Sequence, residues 1–245
     1  RVDSRRGWRE NHACRVSLMT VTINRYRWAN QNSLLLHCDG VDGSTTIADA
    51  SKYTHVVTTN GNTQIDTAQS KFGGASLLFD GVSDNATVPG HASLNFGSGD
   101  FTVDLWVRTA TVAAGVGTVV TSRDALTTDI PFHIIRSAAT YRFYCSSPAA
   151  LYDIASNLSM GVATANTWQH LAVTRSGNNW KLFNDGALIT SFTSTLVIAD
   201  IASTLQFGAQ NGTSFEFEGH LDEIRMTKGT ARWTAAFTPP TIAEA

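Results

Sequence analysis

The most constraining feature of the sequence is a succession of short segments in which apolar and polar residues alternate with a period of two. In Phe101–Arg108, every second residue from Phe101 to Val107 is apolar, so one face of an extended strand would be apolar. Gly, Asn, Asp and Ser separate such segments, as they do at turns between strands. We find no helical periodicity longer than about two turns. Strands that follow one another at roughly 8–15-residue spacing, without intervening helices, predict a sandwich or a closed barrel.

Three of these segments form a predicted β-meander. Trp168–Arg175 leads through Ser-Gly-Asn into Trp180–Phe183, and Asn-Asp-Gly then leads into Ala187–Phe192. Asp-Gly is among the stronger short signals for a hairpin. Further strands are predicted at Leu34–Cys38, Ser76–Phe79, Thr118–Thr121, Phe132–Arg136, Tyr141–Cys145, Thr204–Phe207 and Ser214–Leu221.

In one predicted strand near the end of the chain, the apolar residues switch from odd to even positions. From Phe215 to Leu221 the apolar residues occupy odd positions, whereas Ile224 and Met226 are even. A regular strand keeps its side-chain alternation, so the sequence predicts a β-bulge at Asp222-Glu223.

Length and composition agree with one large β-domain. The chain has 245 residues, of which 42% are hydrophobic and only 16% are charged. Thr occurs 31 times and Lys only four times, which favours strands over helices. No stretch approaches about 18 consecutive apolar residues, so the sequence predicts no transmembrane helix and no membrane partner. The three cysteines, Cys14, Cys38 and Cys145, have neither disulfide-framework nor zinc-site spacing.

Charge divides the chain into a basic arm and an acidic body. Residues 1–33 hold seven Arg against one Asp and one Glu, a balance of +5, and residues 34–245 carry −7. We expect a poorly ordered arm over 1–33, a sandwich over 34–240 and a short tail over 241–245. The arm could contact nucleic acid, an acidic partner or its own body. The net charge of −2 argues against a general nucleic-acid binder.

Five ordered motifs carry a resemblance to a known family. The chain resembles a laminin-G-like, concanavalin-A-like jelly-roll domain over roughly residues 34–240. The segment Lys228–Pro240, together with Leu34–Gly40, is similar to the variant common in bacteriophage tail and virion proteins. The resemblance implies an all-β fold, a two-sheet antiparallel β-sandwich whose first and last strands are adjacent. The five motifs are Ser76–Gly81, Leu94–Val107, Trp168–Arg175, Leu182–Gly186 and Gly219–Met226.

Lectins, glycan-binding modules, glycosidases and adhesive domains all use this fold, so the fold does not fix a function. A retaining glycosidase needs two carboxylates about 5–5.5 Å apart. The laminarinase-like relatives place Glu-x-Asp-x-Glu, or a version one residue longer, on one strand, but Glu216, Glu218 and Asp222 lack the central Asp of that pattern. We therefore expect no catalytic residues, and interpret Glu216 and Glu218 as the solvent face of a strand whose other face is Phe215 and Phe217.

Aromatic residues in loops are the candidates for ligand binding. Tyr53, Tyr141, Tyr144 and Tyr152 lie in loop-rich or strand-edge regions, and Tyr152 is the candidate ligand-binding residue because it follows a strand in a long loop. Trp106, Trp168 and Trp180 lie in strands and are interpreted as packing residues.

A structural calcium ion is the cofactor that the resemblance suggests, since laminin-G-like relatives often hold one at the sandwich rim. The candidate ligands are Asp39, Asp42 and Asp222, because pairing of the first and last strands would bring Asp39 and Asp222 together. Alternatively, Asp39 and Asp42 shape a turn and Asp222 caps backbone N–H groups across the bulge.

The sequence thus predicts a non-catalytic recognition or structural module. The preferred setting is a phage virion or tail surface, where the protein would bind host glycans or other virion proteins and decorate the particle. The alternative is a secreted bacterial carbohydrate-binding or adhesin domain, which would be extracellular. A degenerate glycoside hydrolase ranks last.

Overall fold

The computed structural model describes residues 29–122, 131–201, 204–212 and 214–243. These residues form strands and two short 3₁₀ turns, at Ala29–Gln31 and Ala92–Leu94, and contain no α-helix. Within the same ranges, no helix has the length and apolarity needed to cross a membrane. The predicted all-β class is confirmed. The strands are β1 (Asn32–Leu36), β2 (Thr58–Asn60), β3 (Gln64–Asp66), β4 (Ser76–Asp80), β5 (Asn85–Pro89), β6 (Phe101–Thr109), β7 (Val116–Thr121), β8 (His133–Ser137), β9 (Thr140–Cys145), β10 (Ala155–Val162), β11 (Gln169–Ser176), β12 (Asn179–Asn184), β13 (Ala187–Thr193), β14 (Thr204–Phe207) and β15 (Glu218–Lys228).

The strands form two antiparallel sheets. Sheet A has the order β13-β12-β11-β6-β15-β4-β3, with β1 also paired to β15, and sheet B has the order β10-β9-β8-β7-β14-β5-β2. The meander β11–β12–β13 is present as predicted. Apolar side chains of both sheets fill the space between them, including Leu105, Val173 and Met226 from sheet A and Phe143 and Phe207 from sheet B. The predicted two-sheet antiparallel sandwich is thereby confirmed.

Strand β15 is the central strand of sheet A and joins the two ends of the domain. It pairs along its length with β6, while its other side pairs first with β4 and then with β1. Leu34 lies opposite Met226 and Leu36 opposite Ile224, which confirms the predicted pairing of the first and last strands. The first strand begins at Asn32, and residues 1–28 of the arm lie outside the described residues, so the predicted domain bounds stay a prediction.

The predicted bulge is present in β15, where the register with β6 shifts between Asp222 and Arg225. Glu223 takes a positive φ of 48° at this point. The interpretation of Phe215 as a core partner of Phe217 is wrong. Phe217 is fully buried, but Phe215 is 52% exposed because β15 begins only at Glu218 and the Phe215 carbonyl accepts a hydrogen bond from the Thr118 N–H.

The outer face of sheet A is covered by the C-terminal strap, which we define as residues 229–243. The hydroxyl of Thr102 donates to the carbonyl of Thr230, and the hydroxyl of Thr174 donates to that of Trp233. The backbone N–H of Phe237 donates to the carbonyl of Gly186, where a Cβ would lie 1.9 Å from the Phe237 oxygen. Glycine at position 186, with φ of 76°, therefore lets the strap approach the β12–β13 turn.

Of the three tryptophans predicted to pack in strands, Trp106 and Trp180 do so, in two layers. Trp168 does not, because it precedes β11 and is only half-buried beside His220. Trp180 lies in the core against Phe101, with ring centroids 5.3 Å apart. Trp106 lies on the opposite face of sheet A, where its ring packs against His170 and lies under the ammonium of Lys71 at 3.8 Å. The outer face of this sheet is thus a second packed layer.

A charged network is buried in that second layer. The carboxylate of Asp104, which is only 1% exposed, accepts hydrogen bonds from Arg225 Nε at 3.1 Å and Nη2 at 2.5 Å, and its Oδ2 lies 3.2 Å from His170 Nε2. Burial alone would raise the pKa of Asp104, but the charge of Arg225, the His170 hydrogen bond and the charge of Arg232 hold that pKa well below its usual range. The ionised form is therefore the stable one in the folded protein.

We predict that Asp104→Ala lowers the free energy of unfolding by about 3–5 kcal/mol, because it leaves the buried Arg225 without its counter-ion. The double variant Asp104→Leu/Arg225→Met should cost less than the sum of the two single changes. Since the folded pKa is depressed, the wild-type contribution is present above about pH 4 and is lost as the pH falls below that value. Urea denaturation between pH 3 and pH 7 measures this. The control is Asp200→Asn at an exposed position. If Asp104→Ala and Asp200→Asn lower the free energy of unfolding by the same amount, the prediction is contradicted.

Candidate functional site

A shallow pocket of about 250 Å³ lies on the outer face of sheet B. Strands β7, β8 and β9 form its floor, and two loops form its sides, one preceding β10 and one between β14 and β15. We call it the aromatic pocket. It is lined by Val116, His133, Ile135, Tyr144, Tyr152, Gln210 and Phe215.

The rings in the aromatic pocket contact one another. Tyr144 and Tyr152 have ring centroids 4.8 Å apart and tilted by 51°, and Tyr144 lies 5.8 Å from His133. The Tyr144 hydroxyl donates to Asn157 Oδ1 at 3.0 Å. This bond fixes the ring of Tyr144 while leaving a hydroxyl and an amide at the pocket edge.

Two aromatic residues of the pocket have backbone conformations that L-residues rarely adopt. Tyr152 has φ of 58° and Phe215 has φ of 52°, which is unusual for bulky side chains. Hydrogen bonds hold both residues in place, from the Tyr152 N–H to Ser146 Oγ at 2.9 Å and from the Thr118 N–H to the Phe215 carbonyl at 2.7 Å. Strain of this kind costs on the order of 1–3 kcal/mol per residue and concentrates at functional sites.

The side chains that line the pocket limit the kinds of molecule that it could accept. The described residues that line the pocket include no Asp, Glu, Lys or Arg, so no fixed charge faces a ligand there. Aromatic rings provide flat apolar faces, and the side chains of His133 and Gln210 provide hydrogen-bonding groups. The combination suits a small ring with one apolar face and polar edges, in a volume below the roughly 300–1,000 Å³ typical of drug-sized sites.

Part of this site was predicted and part was missed. Tyr152, the candidate ligand-binding residue, does line the pocket, and Tyr144 lies beside it, but ligand binding by Tyr152 stays a prediction. Tyr141 is fully buried, and Tyr53 packs elsewhere against His55. His133, Gln210 and Phe215 also line the pocket and were not predicted as site residues. The alternation within Phe132–Arg136 places His133 and Ile135 on one face of the strand. This pattern could have identified His133 as a residue of the outer face.

The three aspartates expected to bind calcium do not form one cluster. The described residues contain no group of three or more His, Cys, Asp or Glu side chains placed to hold a metal ion. Asp42 Oδ1 accepts hydrogen bonds from the backbone and hydroxyl of Thr67. Asp222 Oδ2 accepts from the backbone N–H groups of Lys71 and Phe72, and its Oδ1 accepts from that of Glu223. Asp222 thus caps backbone groups, as the alternative interpretation proposed, and the three-aspartate set does not fit calcium.

Asp39 and Asp222 nevertheless lie at the same end of β1. Both raise the pKa of His37, although its hydrogen bond to Glu223 Oε1, 2.7 Å from Nδ1, has the largest effect. Burial raises the pKa of Asp39, and burial raises that of Asp222 to about 7. The Asp39 carboxylate also occupies the space that a Cβ on Gly73 would need. Calcium binding by Asp39 and Asp222, without Asp42, stays a prediction.

The chain matches one family in sequence. The laminin G family model, described as the concanavalin A-like lectin/glucanases superfamily, matches residues 80–237. Comparison with curated protein sequences gives no significant match. The family match confirms the resemblance to a laminin-G-like, concanavalin-A-like domain, and the similarity to the phage variant stays a prediction.

Several solved structures share the fold. The binding domain of Paraclostridial Mosquitocidal Protein 1 has a TM-score of 0.65 and 16% identity, covering 83% of this chain and 50% of that one. The botulinum neurotoxin serotype G binding domain has a TM-score of 0.60 and 15% identity, covering 82% and 48%. The serotype D ligand binding domain in complex with N-acetylneuraminic acid has a TM-score of 0.60 and 14% identity, covering 84% and 50%. The present chain spans about half the length of each, and identities this low show the shared fold only.

We predict that Phe215→Gly is more stable than Phe215→Ala by about 1 kcal/mol, because glycine adopts positive φ without the steric cost that alanine meets. Thermal or urea unfolding of the two variants measures the difference. Val82 is exposed and has no positive φ, so Val82→Gly should be less stable than Val82→Ala. If the Ala variant is the more stable one at both positions, the backbone of Phe215 is not strained.

The calcium prediction is tested by thermal melting of chelator-stripped protein in millimolar calcium. Binding to the folded state would raise the midpoint by mass action. Asp39→Ala and Asp222→Ala should weaken that rise, whereas Asp42→Ala, whose carboxylate is bonded to Thr67, should leave it intact. An unmoved wild-type midpoint would exclude a specific calcium site at this rim.

Proposed function

Because the chain belongs to the concanavalin A-like lectin/glucanases superfamily, we propose that it is a non-catalytic binding module that holds a glycan in the aromatic pocket of sheet B. The rings of Tyr144 and Tyr152 would stack against the C–H face of a sugar ring. His133 and Gln210 would bond to its hydroxyl groups.

The observation that carries this proposal is the positive φ of Tyr152 and Phe215 at opposite loops of one pocket. Two bulky residues are held in costly conformations, and both place aromatic side chains in the same pocket lining. Backbone strain concentrates at functional sites, and here it coincides with two aromatic side chains in one pocket lining, which supports a ligand contact.

A hydrolytic function has less support. Glycoside hydrolysis requires a pair of carboxylates beside the bound sugar, and the described lining of the aromatic pocket contains none. The Glu216 carboxylate accepts a hydrogen bond from the Ser83 N–H, and Asp222 is fully buried beneath the segment that contains Lys71. Neither is placed for acid–base work in that pocket.

The biological setting that we propose is the surface of a phage virion or tail, where the module would bind host glycans or decorate the particle. The similarity of Lys228–Pro240 and Leu34–Gly40 to the variant common in such proteins supports this setting. The second candidate is a secreted bacterial carbohydrate-binding or adhesin domain. The structural neighbours favour it, because they are binding domains of toxins and one was solved in complex with N-acetylneuraminic acid.

A glycan array followed by calorimetry with the best glycan tests the binding function. Tyr144→Ala and Phe215→Gly should each weaken binding by about tenfold, since one stacked ring contributes on the order of 1 kcal/mol. The matched control is Tyr53→Ala, which removes another exposed tyrosine outside the pocket. An array without any bound glycan, or affinities that all three variants leave unchanged, would contradict the proposal.

A further inference from the structure

The strands of sheet B contain only two charged residues, counting Asp, Glu, Lys and Arg. These are Arg136 and Arg142, among all residues of β2, β5, β7, β8, β9, β10 and β14. Arg136 is 5% exposed, and its Nη1 donates to the carbonyls of Ala113 and Ala138. Arg142 is half-buried and is therefore the one charged side chain that these strands present to solvent.

Arg142 lies beside the aromatic pocket. Tyr141 and Phe143 are buried in the core. Alternate residues of a strand point to opposite faces, so Arg142 and Tyr144 lie on the outer face of sheet B. Tyr144 lines the pocket, and so does Ile135, which is paired directly with Arg142 across β8 and β9. Arg142 therefore lies at the rim of the pocket, next to two of its lining residues, although it does not line the pocket itself.

The guanidinium of Arg142 is held by a single hydrogen bond. Its Nη1 donates to the Asn157 carbonyl at 3.4 Å, and Asn157 Oδ1 accepts from the Tyr144 hydroxyl at 3.0 Å. Asn157 has a φ of 56°, in the left-handed region that Asn adopts more readily than most residues. Asn157 thus connects the guanidinium to the Tyr144 ring. Of the five N–H donors of a guanidinium, only the one to Asn157 has a partner among the described residues, so the others can bond to a ligand.

No carboxylate of the described residues forms an ion pair with Arg142. Asp153, in the loop that contains Tyr152, is bonded elsewhere, because its carboxylate accepts from the backbone N–H and the hydroxyl of Ser147. A guanidinium is planar and always charged, and its N–H groups match the paired oxygens of a carboxylate or a sulfate. Uncharged aromatic rings and an unpaired cation therefore meet at one place on the outer face of sheet B.

We propose that the glycan of the aromatic pocket is an acidic one. Its sugar ring lies against Tyr144 and Tyr152, and its anionic group, a carboxylate or a sulfate, lies outside the pocket and accepts hydrogen bonds from Arg142. The inference rests on the proposed function, because it names the chemical class of the ligand for the same site. Residues 34–245 carry a net charge of −7, so a local cation is what allows an anionic ligand to bind at this rim.

Paired glycans test the proposal on the full-length chain. Each neutral oligosaccharide of an array is compared with the same oligosaccharide carrying a uronic acid or a sulfate group, and calorimetry measures the best pair. Wild type should bind the acidic member about tenfold more tightly, as expected for charge-assisted hydrogen bonds. Arg142→Gln should remove this preference and leave the affinity for the neutral member unchanged. Arg142→Lys, which keeps the charge without the planar fork, should retain part of the preference. The uronic acid and sulfate members show which anionic group is bound.

The matched control is Arg108→Gln, which removes a half-buried arginine from β6 of sheet A and should leave the preference for the acidic member intact. If Arg142→Gln weakens binding of the acidic and neutral members equally, Arg142 supports the pocket without binding an anion, and the proposal is overturned. Wild type that binds both members equally also overturns it, while the proposed function stands. An array without any bound glycan contradicts the proposed function and this inference together. Thermal melts check that each variant remains folded.

Discussion

Strand β15 forms backbone hydrogen bonds with three other strands, β6, β4 and β1, and this pairing holds sheet A together. β15 pairs with β6 throughout, with β4 along its first half and with β1 along its second. The pairing of β1 with β15 joins residues near the two ends of the domain, across separations of about 190 positions such as Leu34 to Met226. Once β15 is fixed, sheet A is continuous, and its inner face can pack against sheet B. Non-local pairing of this kind is entropically costly to form and therefore depends on the apolar burial that follows it.

The bulge in β15 links this pairing to the polar groups of the domain. It lies where β4 ends its pairing and β1 begins, and it lets Asp222 turn toward the loop that contains Lys71 and Phe72. Beyond the bulge, Arg225 reaches Asp104 on β6. The same irregularity thus positions both a backbone cap and a buried ion pair. Each satisfies polar groups that would otherwise be costly to bury.

The outer faces of sheet A and sheet B differ in how far they are covered by other parts of the chain. The outer face of sheet A is closed by the C-terminal strap, with Trp233 and Phe237 stacked at 3.9 Å over His170. The outer face of sheet B is more open and carries the aromatic pocket. Sheet A is therefore covered on both faces, whereas the outer face of sheet B has an open pocket lined by Tyr152 and Phe215, two aromatic residues with positive φ.

The fold class, the meander, the pairing of the first and last strands, and the bulge could all be predicted from the linear chain. Each depends on local alternation, turn residues or family motifs that a linear chain displays directly. Two placements could not be predicted in this way: Asp42 bonds to Thr67, away from Asp222, and Phe215 lies outside the core beside Tyr144 and Tyr152. Those contacts join loops whose conformations have no periodic pattern. Their geometry is set by hydrogen bonds between residues far apart in the sequence, such as the bond from the Thr118 N–H to the Phe215 carbonyl.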